Sequence, residues 1–136
     1  MPEPRSLDAP PPRGNGEVVL VVDDDESVLA ATSMLLERCG YRVLPARNAG
    51  AALEIAGRPG VVIDLLLTDV DMPDTSGYEL QAAIRGTGHT VAVLYMSGDA
   101  DRILRDHDLD PGAVVDKPFT RRSLLEAVRS ALARHA

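Results

Sequence analysis

Aspartates close the apolar runs of this 136-residue chain. EVVLVV (17–22) is followed directly by Asp23, Asp24 and Asp25. VVIDLLLT leads to Asp69, with Asp71 two residues on. VAVLYM runs into Ser97, then Gly98 and Asp99. AVVD leads to Lys117, the only lysine among otherwise arginine cations, and to Pro118. Carboxylates gathered within a few ångströms repel one another, and some acquire raised pKa values unless a cation sits among them. Hard oxygen donors of this kind favour Mg2+ or Mn2+, and Mg2+ suits one or two carboxylates, a carbonyl and several waters. A lysine ammonium adds a second positive centre for a phosphoryl oxygen, and a serine hydroxyl adds a donor. Such a set suits phosphoryl transfer onto an aspartate. The carboxylate attacks in line while metal and lysine neutralise the equatorial oxygens.

These residues can cooperate only if the fold brings their segments to one edge. The pattern predicts that it does. Strands are expected at β1 (17–22), β2 (41–46), β3 (61–69), β4 (91–97) and β5 (113–116). Continuous β-branched runs such as EVVLVV mark strands buried on both faces. Between them lie helical segments: α1 from Ser27 to Gly40 with Val28, Leu29, Thr32, Leu35 and Leu36 at helical spacing, α2 (49–57), α3 (78–86), a short polar α4 within 98–109, and α5 (120–136) with Leu124, Leu125, Val128 and Leu132 in its stripe. This β-α alternation predicts a doubly wound α/β fold, a five-stranded parallel sheet with helices on both faces. Ligands of such sheets bind beyond the carboxyl ends of the strands, near the topological switch point. Residues 1–16, with prolines and glycines and no periodicity, read as a flexible tail or linker before a domain spanning 17–136.

Composition narrows the function. The net charge is −7, with fourteen aspartates against seven glutamates. An acidic chain without a Lys/Arg cluster and with 3% aromatics is a poor nucleic-acid binder, so no nucleic-acid partner is expected. No apolar run is long enough to span a membrane, so no membrane contact is expected. One cysteine, Cys39, excludes an intramolecular disulfide framework and a multi-cysteine zinc site. Without an export signal or disulfides, a cytoplasmic location is expected.

VLVVDDDES, LLLTDVDMPDTSGYEL, VLYMSGDA and VVDKPFT, in this order and spacing, resemble the receiver domain of two-component response regulators. The match covers about residues 17–134. The resemblance implies a flavodoxin-like receiver fold in which a histidine kinase or histidine phosphotransfer domain phosphorylates Asp69. It implies Mg2+ binding by Asp23 and Asp24, with Asp69 and the backbone carbonyl of Asp71 completing the protein ligands. Ser97 matches the hydroxyl that switches toward the phosphoryl group, and Lys117 matches the family's lysine, often followed by a cis proline bond. The domain would be a regulatory switch with self-catalysed phosphorylation and dephosphorylation rather than a classical enzyme, and could pair as a homodimer through its α4–β5–α5 face. The second half is most similar to receivers at the C-terminus of bacterial hybrid sensor kinases. An excised hybrid-kinase receiver is therefore expected, with a stand-alone regulator as the alternative. A haloacid-dehalogenase-type phosphatase fits less well, because its D-x-D follows the first strand and the chain here is short. A degenerate, interaction-only receiver is the remaining alternative.

The chain departs from the family pattern in two ways. Val114 stands three residues before Lys117, where receivers usually carry the aromatic of a rotating switch. Asp71 and Asp99 place acidic side chains two beyond the acceptor and two beyond the hydroxyl, flanking the path of an attacking water. Other acids have structural readings. Asp25 and Glu26 begin α1, Asp74 forms a turn beside Pro73, and Asp101, Asp106, Asp108 and Asp110 are solvated or cap turns. His89, His107 and His135 have no metal-ligand spacing.

Overall fold

The computed structural model describes residues 10–135 apart from Asp74 and Asp108, so the readings for residues 1–9, Asp74 and Asp108 lie outside it. Eleven elements follow in order: β1 Val18–Val22, α1 Glu26–Arg38, β2 Arg42–Ala46, α2 Ala49–Ala56, β3 Leu65–Asp69, α3 Gly77–Gly86, β4 Ala92–Ser97, α4 Ala100–His107, a 3-10 turn Pro111–Ala113, β5 Val114–Asp116 and α5 Arg121–His135. All strand pairs are parallel, in the order β2-β1-β3-β4-β5. The chain steps from β1 outward to β2, then returns across β1 to β3. The switch point thus lies between the carboxyl ends of β1 and β3, where Asp23 and Asp69 emerge.

Alternation along each strand explains why the runs are apolar throughout. Val19, Val21, Leu65, Leu67, Leu94 and Met96 face a core closed by Leu29 and Leu36 of α1 and by Leu124, Leu125 and Val128 of α5. Leu20, Val22 and Leu66 face the other side, against Ala52 and Ile55 of α2 and Leu80 and Ile84 of α3. Each fully buried leucine contributes about 1.5–3 kcal/mol over its exposed state. A smaller third cluster of Val70, Tyr95 and Ile103 lies beneath α4.

The helix starts are capped by short polar side chains. Asp25 accepts the N–H groups of Ser27 and Val28, Asn48 that of Ala51, and Ser76 that of Glu79. Thr120 and Ser123 cap each other reciprocally before α5. In α1, Val28 and Leu35 are only partly covered, while Ser33 is buried with Leu29, Thr32 and Leu36. β3 is shorter than the apolar run suggests. Val62 is exposed, and Asp64 turns the chain into the sheet, its carboxylate accepting the Val18 N–H at 2.8 Å. The segment before β1 is tied to the domain. Gly14 and Gly16 donate to the carbonyls of Cys39 and Gly40, and Arg13 donates to Arg38. A side chain at Gly14 would collide with the Tyr41 ring, with a Cβ only 2.6 Å from it.

Candidate functional site

The site forms where β1 and β3 end side by side. Asp23 follows β1 and is fully buried. Its Oδ1 accepts the Asp25 N–H at 2.9 Å, and its Oδ2 accepts from Lys117 Nζ at 2.7 Å. Asp24 is exposed beside it. Asp69 ends β3, with Oδ2 3.3 Å from the same Lys117 Nζ and Oδ1 3.4 Å from the Asp71 N–H. Carboxylate oxygens of Asp23, Asp24 and Asp69 lie within 4.8 Å of one another. Ser97 closes β4 and is buried; its Oγ accepts the Asp99 N–H at 3.0 Å, and its carbonyl accepts the Lys117 N–H at 2.8 Å. That backbone bond sets where the lysine leaves β5, just before a cis Lys117–Pro118 bond.

The electrostatics follow from these distances. Lys117 sits closer to Asp23 than to Asp69. Burial raises the Asp69 pKa; the Lys117 ammonium opposes this, and the Asp23 charge adds to the rise, leaving a net increase. Burial works to lower the Lys117 pKa, but its hydrogen bond to Asp23 and the charges of Asp69 and Asp23 outweigh it. The lysine therefore stays charged and the Asp69 carboxylate is incompletely compensated. A divalent cation would supply the missing positive charge. The donor set fits one, since three hard carboxylate oxygens converge there.

The family model of the response regulator receiver domain matches residues 19–129. The chain belongs to the response regulator receiver family. Among curated relatives, this receiver is 34% identical over 117 residues to the response regulator protein TmoT of Ectopseudomonas mendocina, covering 85% of this chain and 52% of that protein. It is 36% identical over 122 residues to the transcriptional regulatory protein FixJ of Azorhizobium caulinodans, covering 87% and 56%. The chain thus spans about half the length of the curated relatives it matches. Among solved structures, it resembles the receiver domain of the hybrid histidine kinase CckA at TM-score 0.70 and 32% identity, covering 85% of this chain and 98% of that one. A CheY-like receiver from Methanospirillum hungatei gives TM-score 0.71 and 28% identity, covering 88% and 96%.

Within this receiver, the structure gathers Asp23, Asp24, Asp69 and Lys117, with Ser97 joined through the backbone. The side chain of Asp71 does not join them. It is exposed and reaches Arg102 at 3.6 Å, while its backbone stays beside Asp69. Three features are absent from the sequence reading. Gly77 lies so close beneath Asp69 that a Cβ there would be 2.8 Å from the Asp69 carbonyl oxygen. No pattern in the sequence marks it, since only the fold brings Gly77 beneath Asp69. Tyr95, paired in register with Val114, packs against Tyr78 at a ring separation of 4.8 Å, and Tyr78 packs on His107 at 4.2 Å. The aromatic missing from β5 thus has a neighbour on β4. Arg102 is the third feature, and only the folding of two separate loops makes it visible.

Proposed function

We propose that this receiver is a Mg2+-dependent phosphoacceptor switch in which Asp69 takes a phosphoryl group from a phosphohistidine. The observation that carries the reading is the half-buried Asp69 held between the acidic pair Asp23 and Asp24 and the Lys117 ammonium. Asp69 attacks phosphorus, a P–O bond forms, and the P–N bond to the donor imidazole breaks. Lys117 holds positive charge against the transferred oxygens throughout. Ser97 can turn its hydroxyl proton toward a phosphoryl oxygen while its Oγ still accepts the Asp99 N–H. Mg2+ or Mn2+, held by Asp23, Asp24, Asp69 and the Asp71 carbonyl, would neutralise charge on the phosphoryl oxygens. Water later hydrolyses the acyl phosphate and restores the carboxylate. The phosphorylated state differs from the resting state in its contacts with Ser97 and Lys117, so phosphorylation shifts an existing conformational equilibrium.

The role is regulatory. The partner is a histidine kinase or a histidine phosphotransfer domain, and the α4–β5–α5 face is the surface for a homodimer or an output partner. The setting is cytoplasmic, and a hybrid-kinase receiver is favoured over a stand-alone regulator by the likeness of the second half to such receivers. No helix among the described residues is long and apolar enough to cross a membrane.

The test is intact-mass analysis after incubation with acetyl phosphate and Mg2+. One added phosphoryl group is expected, absent in Asp69→Asn and absent without the metal. No adduct under conditions that label a control receiver would overturn the reading, and steady turnover of a phosphate ester would point instead to a hydrolase.

A further inference from the structure

Arg102 lies in α4, and its guanidinium meets Asp99 at 3.3 Å, Asp71 at 3.6 Å and Asp106 at 3.8 Å. Asp106 belongs to the same helix. Asp71 and Asp99 belong to different loops, those that follow β3 and β4. The backbones of both reach into the site, where the Asp71 N–H faces Asp69 Oδ1 and the Asp99 N–H donates to Ser97 Oγ. One arginine therefore spans the loop beside the acceptor and the loop beside the hydroxyl. Its side chain is 44% exposed and its partners more so, and pairs that open to water add little to stability.

Charge gives the arrangement its meaning. The site holds Asp23, Asp24 and Asp69, and the exposed Asp71 and Asp99 lie in the loops beside it. Lys117 already serves Asp23 and Asp69. A phosphodonor is itself an anion, so uncompensated rim carboxylates would repel it and at the same time draw in divalent cations.

We propose that Arg102 is a charge-compensating rim cation that tunes the site. By neutralising Asp71 and Asp99 it admits an anionic phosphodonor to Asp69 and restrains the site's affinity for Mg2+. This rests on the phosphoacceptor reading for the donor, whereas the effect on Mg2+ stands on the acidic cluster alone. The two effects have opposite signs, which separates them from damage to the fold. A merely structural arginine, once removed, would weaken both.

The experiment uses the full chain, with Arg102→Gln compared with wild type and with Arg105→Gln, which removes the same charge from an exposed position of the same helix. Mg2+ affinity is measured by titration calorimetry, and the acetyl phosphate labelling rate by intact mass at saturating Mg2+. Arg102→Gln should bind Mg2+ about three- to tenfold more tightly and label about threefold more slowly, with both differences shrinking in high salt. Arg105→Gln should change either value less than about twofold. Adding Asp99→Asn to Arg102→Gln should return the Mg2+ affinity most of the way to wild type. An Arg102→Gln affinity that is unchanged or weaker overturns the inference, as does an equal effect of Arg105→Gln or no return in the double variant. If wild type itself does not label, the phosphoacceptor reading falls, while the Mg2+ comparison still decides the role of Arg102.

Discussion

Lys117 divides itself unequally between two carboxylates, and the inequality assigns them different work. Asp23, with no exposed surface, takes the shorter bond at 2.7 Å; Asp69 takes the longer at 3.3 Å. Asp23 is thereby the lysine's main anchor, and Asp69 is held more loosely. Lys117→Ala should cost about 3–5 kcal/mol, because it leaves a buried carboxylate with one backbone donor. Urea unfolding measures this, and Asp23→Asn in the same background should recover part of the loss. The site residues were legible because each follows an apolar run and a parallel sheet delivers such ends to one edge. Gly77 and Arg102 were not. Their importance comes from tertiary approach, Gly77 to the end of β3 and Arg102 to the loop after it, which no periodicity encodes.

At the scale of elements, α4 is the weakly held part of the molecule. Only Ala100 and Ile103 of its residues are buried, and its end is joined to the core side by the His107–Tyr78–Tyr95 stack. Helices with so few buried apolar contacts open locally at low cost. Tyr78→Leu should therefore speed amide hydrogen exchange across Ala100–His107 by on the order of tenfold, with α1 and α5 unchanged. Equal acceleration in all helices would show that the stack stabilises the whole fold instead. Sequence periodicity located α4 as a short polar helix but gave no sign of the stack, whose members come from α3, β4 and α4. The same limit applies at the start of β3. Val61 and Val62 continue the apolar run, yet only tertiary pairing decides that the strand begins at Leu65.

For the whole molecule, a sheet with apolar side chains on both faces explains both its legibility and its response to alkali. Runs without alternation announced buried parallel strands, whereas the order β2-β1-β3-β4-β5 is set by tertiary pairing. Inside that sheet, burial and the neighbouring Tyr78 push the Tyr95 phenol up to about 12, from 10.0. Between these values the unfolded chain has lost a proton that the folded chain keeps, so stability must fall as pH rises through that window. The urea midpoint of wild type should decline from about pH 10 upward, and Tyr95→Phe should flatten the decline. An unchanged slope in that variant would remove Tyr95 as its source. The packed rings have an optical consequence as well. The chain has no tryptophan. Its near-ultraviolet signal therefore comes mainly from tyrosines, and two of them, Tyr78 and Tyr95, are stacked under α4, while Tyr41 lies beside Arg129 and the start of β2. The protein carries its own unlabelled spectroscopic gauge, one chromophore pair packed beside α4 and a reference ring outside that stack.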